Sequence, residues 1–355
     1  MTGWGRSSTR WPRAVGLGVV LLVVAACSSA QSAAPAASTA SPSTPAPPGR
    51  VSLNTAYTTA SATVAPLWTA LEGDAFAEQD LDVQMTFISA GQAILGAVSS
   101  EEAPIVVAGA NQVIDADLQG GSYLLLGSAM PYLTNSIYVV PSIQTPDDLR
   151  GKTVGVSNYG AISDVALHVA LEHWGLQPDT DVTIVRTGGT PETLAAMQSG
   201  EVQGGSFSPP QTFKAGDLGF RQLIDVATLH YEMGSSAIVS SRDYVGAHPD
   251  VTERYLKAMI KGAHLFETNA DLAISAIMKY GRVDDREIAQ ETWNYYRDKV
   301  SDDMAMSPQA VENNLKLLAD HQPAAATAKP DQFLDSSFVD RLKASGYVEQ
   351  VQQGS

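Results

Sequence analysis

Short polar side chains collect just after several apolar runs of this chain: Thr58, Thr59 and Ser61, then Gln92, Asn111, Tyr132, Asn158, Ser163 and Ser208. Their hydroxyl and amide groups donate and accept hydrogen bonds, but a hydroxyl needs an adjacent base before it attacks anything. The chemistry they offer is recognition. Patterns that would do more are absent: there is no Gly-x-Ser-x-Gly, no His-Glu-x-x-His and no Walker loop. His168, His173, His230, His248, His264 and His321 are dispersed, and the first two are five apart, whereas metal ligands sharing a helix face stand four apart. No catalysis, cofactor or metal is expected. At strand–helix turns the same Ser, Thr and Asn types also serve as helix caps, which is the competing role at each position.

The elements that must position these residues follow from periodicity. Val51-Ser-Leu-Asn-Thr-Ala-Tyr57 alternates as a strand does, and Leu67, Trp68 and Leu71 mark a helix after it. Phe76 to Phe87 reads as a helix end, a turn and a second strand, and Gly91-Gln92 opens another helix. Pro104 to Ala108 is fully apolar, as a buried parallel strand is. Tyr123–Leu126, Ile137–Val140, Lys152–Val156 and Val182–Val185 are further strands. Ile162, Val165, Ala166, Val169, Ala170 and Trp174 form one face of a helix, and the chain beyond Pro249 is helical in several pieces. Strand and helix alternating in this way predict an α/β fold with mostly parallel sheets. In such sheets ligands bind beyond the carboxyl ends of the strands, where Thr58, Thr59, Ser61, Gln92, Asn111, Tyr132 and Ser208 lie.

The amino end is a different kind of segment. Arg6, Arg10 and Arg13 precede an unbroken run of apolar or small residues from Ala14 to Ala26, placed and sized as the core of an export signal. The run ends in Val24-Ala25-Ala26-Cys27, which resembles the bacterial lipobox, and Cys27 is the chain's only cysteine. The resemblance implies cleavage after residue 26 and a thioether lipid on Cys27, with further acyl chains such as palmitate making the anchoring durable. An ordinary signal peptide or an uncleaved anchor helix is the alternative. Residues 27–50 are short of anything to bury, being Ser, Ala, Thr, Pro, Gln and Gly from Ser28 to Gly49, and are expected to form an extended tether.

The order of motifs in the body is that of a known family. Phe76-Ala-Glu-Gln-Asp-Leu-Asp-Val-Gln-Met85, Thr145-Pro-Asp-Asp-Leu-Arg-Gly-Lys-Thr-Val-Gly-Val156, Ala170-Leu-Glu-His-Trp-Gly-Leu-Gln-Pro178 and Leu194-Ala-Ala-Met-Gln-Ser-Gly-Glu-Val202 succeed one another, followed by Ser208-Pro209-Pro210 and Asp331 to Val339. In sequence they resemble the substrate-binding proteins of nitrate, sulfonate, taurine and thiamine-pyrimidine ABC importers. The resemblance implies a two-lobed fold of the type 2 periplasmic-binding-protein kind, with residues 51–137 and 235–355 in one lobe and 138–234 in the other. It implies a ligand cleft between lobes that close by hinge motion. It also implies a small-molecule solute and an ABC permease as partners, and a monomer held on the outer face of the cytoplasmic membrane. The strand-end rule also picks out Asn158, Tyr159, Gly160, Ala161 and Ser163 after the Lys152–Val156 strand, and Tyr159-Gly-Ala-Ile-Ser163 aligns with the family loop whose free amides face the ligand. A sensory lipoprotein on the same fold is the rival reading. Two departures stand out: Asp80 where the family has Gly, and Gln203-Gly204 where it commonly has Asp-Ala.

Charge narrows the partners. Removing residues 1–26, which hold three Arg and no acid, leaves 19 basic and 38 acidic residues, a net charge of −19. Nucleic acid is a poor partner for such a surface. The candidate loops also lack Lys and Arg, apart from Arg186 at a strand end, which favours an uncharged or singly charged organic ligand over a dianion. Cys27→Ala is expected to leave ligand binding intact while abolishing lipid labelling and membrane association. A variant that still partitions with lipid would overturn the lipobox reading.

Overall fold

The computed structural model describes residues 50–89, 91–319 and 322–354. The expected export signal, Cys27 and the expected tether up to residue 49 lie outside the described residues, as does His321.

Among the described residues ten strands form two sheets of five. The first contains β1 (Val51–Tyr57), β2 (Leu81–Phe87), β3 (Ile105–Ala108), β4 (Tyr123–Ser128) and β10 (Ala237–Ser241), in the order β2-β1-β3-β10-β4. The second contains β5 (Ser136–Val139), β6 (Lys152–Val156), β7 (Val182–Arg186), β8 (Gly204–Phe207) and β9 (Arg221–Asp225), in the order β7-β6-β8-β5-β9. Both sheets are mixed. β1 pairs in parallel with β2 and β3, and β6 with β7 and β8. β10 runs antiparallel to β3 and β4, and β5 antiparallel to β8 and β9. In each sheet, therefore, one strand opposes the other four. The opposing strand is the one reached directly after the chain crosses between sheets. β5 begins at Ser136, so a division of lobes drawn between residues 137 and 138 would cut this strand; the first crossing is complete before it.

Period-two alternation sorts the strand residues between layers. In β3, Ile105 and Val107 join one core with Leu53, Tyr57 and Trp68, while Val106 and Ala108 join the opposite core with Ile94, Val113 and Ile114. Helices Ala65–Glu72 and Pro249–Thr268 cover the first face, and helices Gly91–Ser99, Ala110–Leu118 and Pro308–Leu318 the second. With both faces covered, β3 is buried along its whole length, which is why its sequence is an apolar run without alternation. The second sheet divides in the same way, Ile137 and Val139 facing one core and Tyr138 the other. The C-terminal segment returns to the first sheet: Leu125 N–H donates to Phe333 O at 2.8 Å and Asp335 N–H to Leu125 O at 2.9 Å, so Leu334 sits beside β4.

The two family departures have local explanations. Asp80 adopts a φ of 53°, the left-handed conformation that glycine takes most easily and that Asp tolerates better than most residues. Gln203 splices the second sheet: its N–H donates to Thr153 O at 2.8 Å, its carbonyl accepts from Val140 N–H at 2.9 Å, and its Oε1 accepts from Thr153 N–H at 3.1 Å.

Helices Ala65–Glu72 and Pro249–Thr268 cross at Gly262. Thr69 Oγ1 donates to Gly262 O at 2.6 Å, and a Cβ on Gly262 would fall 2.2 Å from Pro66 O and 2.6 Å from the Ala70 Cβ. Backbone on both sides leaves no side chain that can swing aside. Gly262→Ala is expected to lower stability by about 1–3 kcal/mol through overpacking, read as a fall in the urea midpoint. Gly246→Ala, where a Cβ meets nothing within 4 Å, is the control and should be neutral or mildly stabilising. Equal midpoints for the two variants would refute the tight crossing.

Candidate ligand-binding cleft

The loops at the carboxyl ends of the two sheets face one another and touch. Ser61, which caps the short turn Ala62–Val64, places its Oγ 3.3 Å from Ser208 Oγ, across from β1 to the end of β8. Tyr296 OH lies 3.5 Å from Ser61 Oγ on the same spot. The Tyr296 ring is fully buried, and burial pushes its hydroxyl up to about 12, so it remains a neutral donor at any physiological pH. Thr59 Oγ1 accepts from Ser61 N–H at 3.3 Å, and Thr58 is half-buried beside it. These hydroxyls serve both as caps and as contacts between lobes.

A second contact pins the loop after β6. Asn111, at the start of helix Ala110–Leu118, is 6 % exposed and donates through Nδ2 to Gly160 O. On its other side the Gly160 N–H donates to Asp164 Oδ2 at 2.8 Å. Gly160 holds a φ of 72°, which favours glycine, and its peptide is thus fastened from both lobes. Asn158 O accepts from Ala161 N–H at 3.2 Å, and Ala161 is the N-cap of helix Ile162–Trp174. Ser163 Oγ lies 2.7 Å from Ser157 Oγ and accepts from Ser157 N–H at 3.0 Å, so it braces this loop from within. Tyr159 is 63 % exposed at the loop's tip.

Between these walls lies a cavity of about 620 Å³. Gln92, Asn111, Gln112 and Asp115 line it from the first lobe, Tyr159, Gly160, Asp164 and His168 from the second, and Leu317 and Leu318 close one side. The size falls within the roughly 300–1,000 Å³ of small-molecule sites. Asn111 Oδ1, Gln112 Oε1 and Asp164 Oδ1 are buried without a hydrogen-bond partner, although Asp164 Oδ1 is 3.5 Å from His168 Nε2.

The strand-end rule therefore brings Gln92, Asn111, Tyr159 and Gly160 to one cavity, and Ser61 and Ser208 to the lobe contact. Tyr132 sits elsewhere: it pairs with Glu232 across the two crossings, meets His230 edge-on at 5.6 Å and lines a separate cavity of about 430 Å³. Tyr57 and Phe207, aromatic rings at strand ends, are core residues. Gln112, Asp115, Asp164 and His168 were not singled out by the loop rule. Their signal is helical spacing, Asn111 with Asp115 and Asp164 with His168 each being four apart and so sharing a face.

The crossings are tied to the helical layer by Tyr295, whose hydroxyl lies 3.0 and 3.2 Å from the Asp225 carboxylate oxygens and 3.2 Å from Thr134 O. Burial first, then neighbouring Tyr296 and Asp225, raise the Tyr295 hydroxyl far above its ordinary value, so it acts only as a donor. Among the described residues no group of three or more His, Cys, Asp or Glu could hold a metal ion.

The sequence profile described as NMT1/THI5 like matches residues 61–271, more than half of the chain, and the protein belongs to that family. No curated protein sequence is a significant match. Among solved structures, the alkanesulfonate-binding protein SsuA of Xanthomonas axonopodis pv. citri, bound to MOPS, superposes with a TM-score of 0.65 at 18 % identity, covering 80 % of this chain and 96 % of its own. The periplasmic nitrate-binding protein NrtA of Synechocystis PCC 6803 gives 0.65 at 12 % identity, covering 83 % and 89 %. The Candida albicans CA3427 gene product, described as having the generic periplasmic binding protein fold, gives 0.60 at 17 % identity, covering 82 % and 95 %. The fold of this chain is that of the periplasmic binding proteins.

Tyr295→Phe removes one hydrogen bond to a carboxylate at the crossings and is expected to destabilise the protein by about 1–3 kcal/mol. Urea unfolding measures the loss, and hydrogen exchange should show it first at residues 225–229. An unchanged midpoint would mean that this contact contributes nothing to holding the crossings.

Proposed function

We propose that this chain is the exported, lipid-anchored solute receptor of an ABC importer, closing its two lobes on one small molecule and delivering it to a membrane permease. The observation that carries the reading is the cavity between the lobes, walled by the loops and first helical turns at the carboxyl ends of both sheets. Two crossings at residues 129–135 and 226–236 are the only covalent links between the sheets among the described residues, an arrangement suited to hinge closure. Membership of the NMT1/THI5-like family and the likeness to proteins that bind alkanesulfonate and nitrate support the same role. Anchoring through Cys27 belongs to this proposal, with residues 27–50 as the tether that keeps the receptor within reach of its permease. No helix of the described residues is long and apolar enough to cross a membrane. The reading assigns the protein no catalytic step.

Binding to the closed form raises the melting temperature by mass action. A thermal-shift screen over sulfonates, nitrate, pyrimidines, amines and aromatic acids, with native mass spectrometry of the purified protein, is expected to find one class that stabilises it. Tyr159→Ala should then weaken binding several-fold without lowering the unliganded melting temperature. If that affinity is unchanged, the loop at Tyr159 is not part of the site.

A further inference from the structure

The charge and bonding of the cavity wall specify more than a solute. Its ionisable side chains are Asp115, Asp164 and His168, with no Lys or Arg. Arg282, over the Phe87 ring at the end of β2 with its Cζ 5.3 Å from the ring centroid, forms no part of the wall. Lys316, next to Leu317, pairs with Glu172 at 2.7 Å.

A receptor of this fold can hold an anion on loop amides alone, because helix N-termini present unsatisfied N–H groups. Here one such amide of the loop after β6 is already used. The Gly160 N–H is donated to Asp164 Oδ2, a carboxylate of the chain's own helix, which puts negative charge where an anion would approach. What the wall leaves unsatisfied is the opposite: Asn111 Oδ1 and Gln112 Oε1 are buried acceptors without hydrogen-bond partners, and Asp164 Oδ1 has no hydrogen bond, only the His168 Nε2 at 3.5 Å. Asn111 and Asp164 are 6 % and 8 % exposed, so water relieves them poorly. Buried acceptors of this kind are matched by a ligand that brings N–H donors, and two carboxylates are matched by positive charge. The exposed ring of Tyr159 on the same wall adds a face on which an organic cation can rest.

We infer that the solute held between the lobes is a small organic amine, bound through its N–H groups to Asn111, Asp115 and Asp164, rather than a sulfonate-like or nitrate-like anion. This rests on the receptor reading above and names the ligand class of that same cleft.

The test pairs probes of like shape and opposite charge. The purified full chain is titrated calorimetrically with benzylamine and agmatine, and with benzenesulfonate and nitrate, in parallel with thermal shift. The amines are expected to bind and raise the melting temperature, and the anions to do neither. Asp164→Asn and Asp115→Asn should each weaken amine binding about tenfold or more, the usual effect of losing a charge-assisted hydrogen bond. Asp115 is half-buried, and its isosteric replacement keeps the test valid if Asp164→Asn does not fold. Binding of the anions without the amines overturns the inference and leaves the receptor reading standing. Amine binding undiminished in Asp115→Asn and in any folded Asp164→Asn also overturns it. Binding of no probe, with no small molecule retained in native mass spectrometry, overturns both.

Discussion

Each sheet takes its fourth strand from a chain that has just arrived from the other sheet, and everything in the cleft depends on that exchange. β5 enters the second sheet and β10 re-enters the first, each antiparallel to both neighbours. A strand in the fourth position is held on both sides, so neither crossing can shift without breaking two ladders. The crossings are fixed at their ends by these ladders and bonded to each other in between, Leu133 N–H donating to Tyr231 O at 3.1 Å and Met233 N–H to Pro131 O at 2.9 Å, so the two behave as one strap. Tyr295 reaches onto this region from the helical layer, and Ser61 meets Ser208 where the sheets face each other.

Much of this was legible in the sequence. β1, β3 and β6 coincide with runs whose apolar pattern is unmistakable, because each is sealed by helices or alternates cleanly. β8, β9 and β10 carry no such signal. β8 is Gly-Gly-Ser-Phe, a poor strand by propensity; its glycines are dictated by packing, since a Cβ on Gly205 would strike Phe207 and Thr193 at 2.6–2.8 Å. β9 is a polar edge strand, and β10 ends at Ser241, which already caps the next helix. Strand direction is equally invisible locally, so the expectation of mostly parallel sheets meets two sheets in which half of the pairings are antiparallel. Direction is set by where the chain has come from, a property of topology and not of any window of residues.

The site divides along a similar line. The rule that ligands sit beyond strand ends locates Gln92, Asn111, Tyr159 and Gly160, all of which follow a strand closely and line the cleft. It passes over Gln112, Asp115, Asp164 and His168, which belong to the first two turns of the helices beyond. Those residues line one cavity to which a helix of each lobe contributes, and their pairing four apart has meaning only once that shared cavity is known. The lack of Lys and Arg, by contrast, was visible in the candidate loops of the sequence, and the cavity lining has none either.

The C-terminal segment beside β4 has a bearing on life at a surface. β4 closes one side of the first sheet, and an uncovered strand there would offer a row of backbone donors and acceptors to any neighbour. Leu334 and its flanking hydrogen bonds occupy that row at Leu125. For receptors confined to two dimensions on a membrane, local density is far higher than for the same number of molecules dispersed in solution. Under the anchoring proposed above, a blunted edge would leave such a crowded layer no open strand at Leu125 through which to knit into lateral sheets.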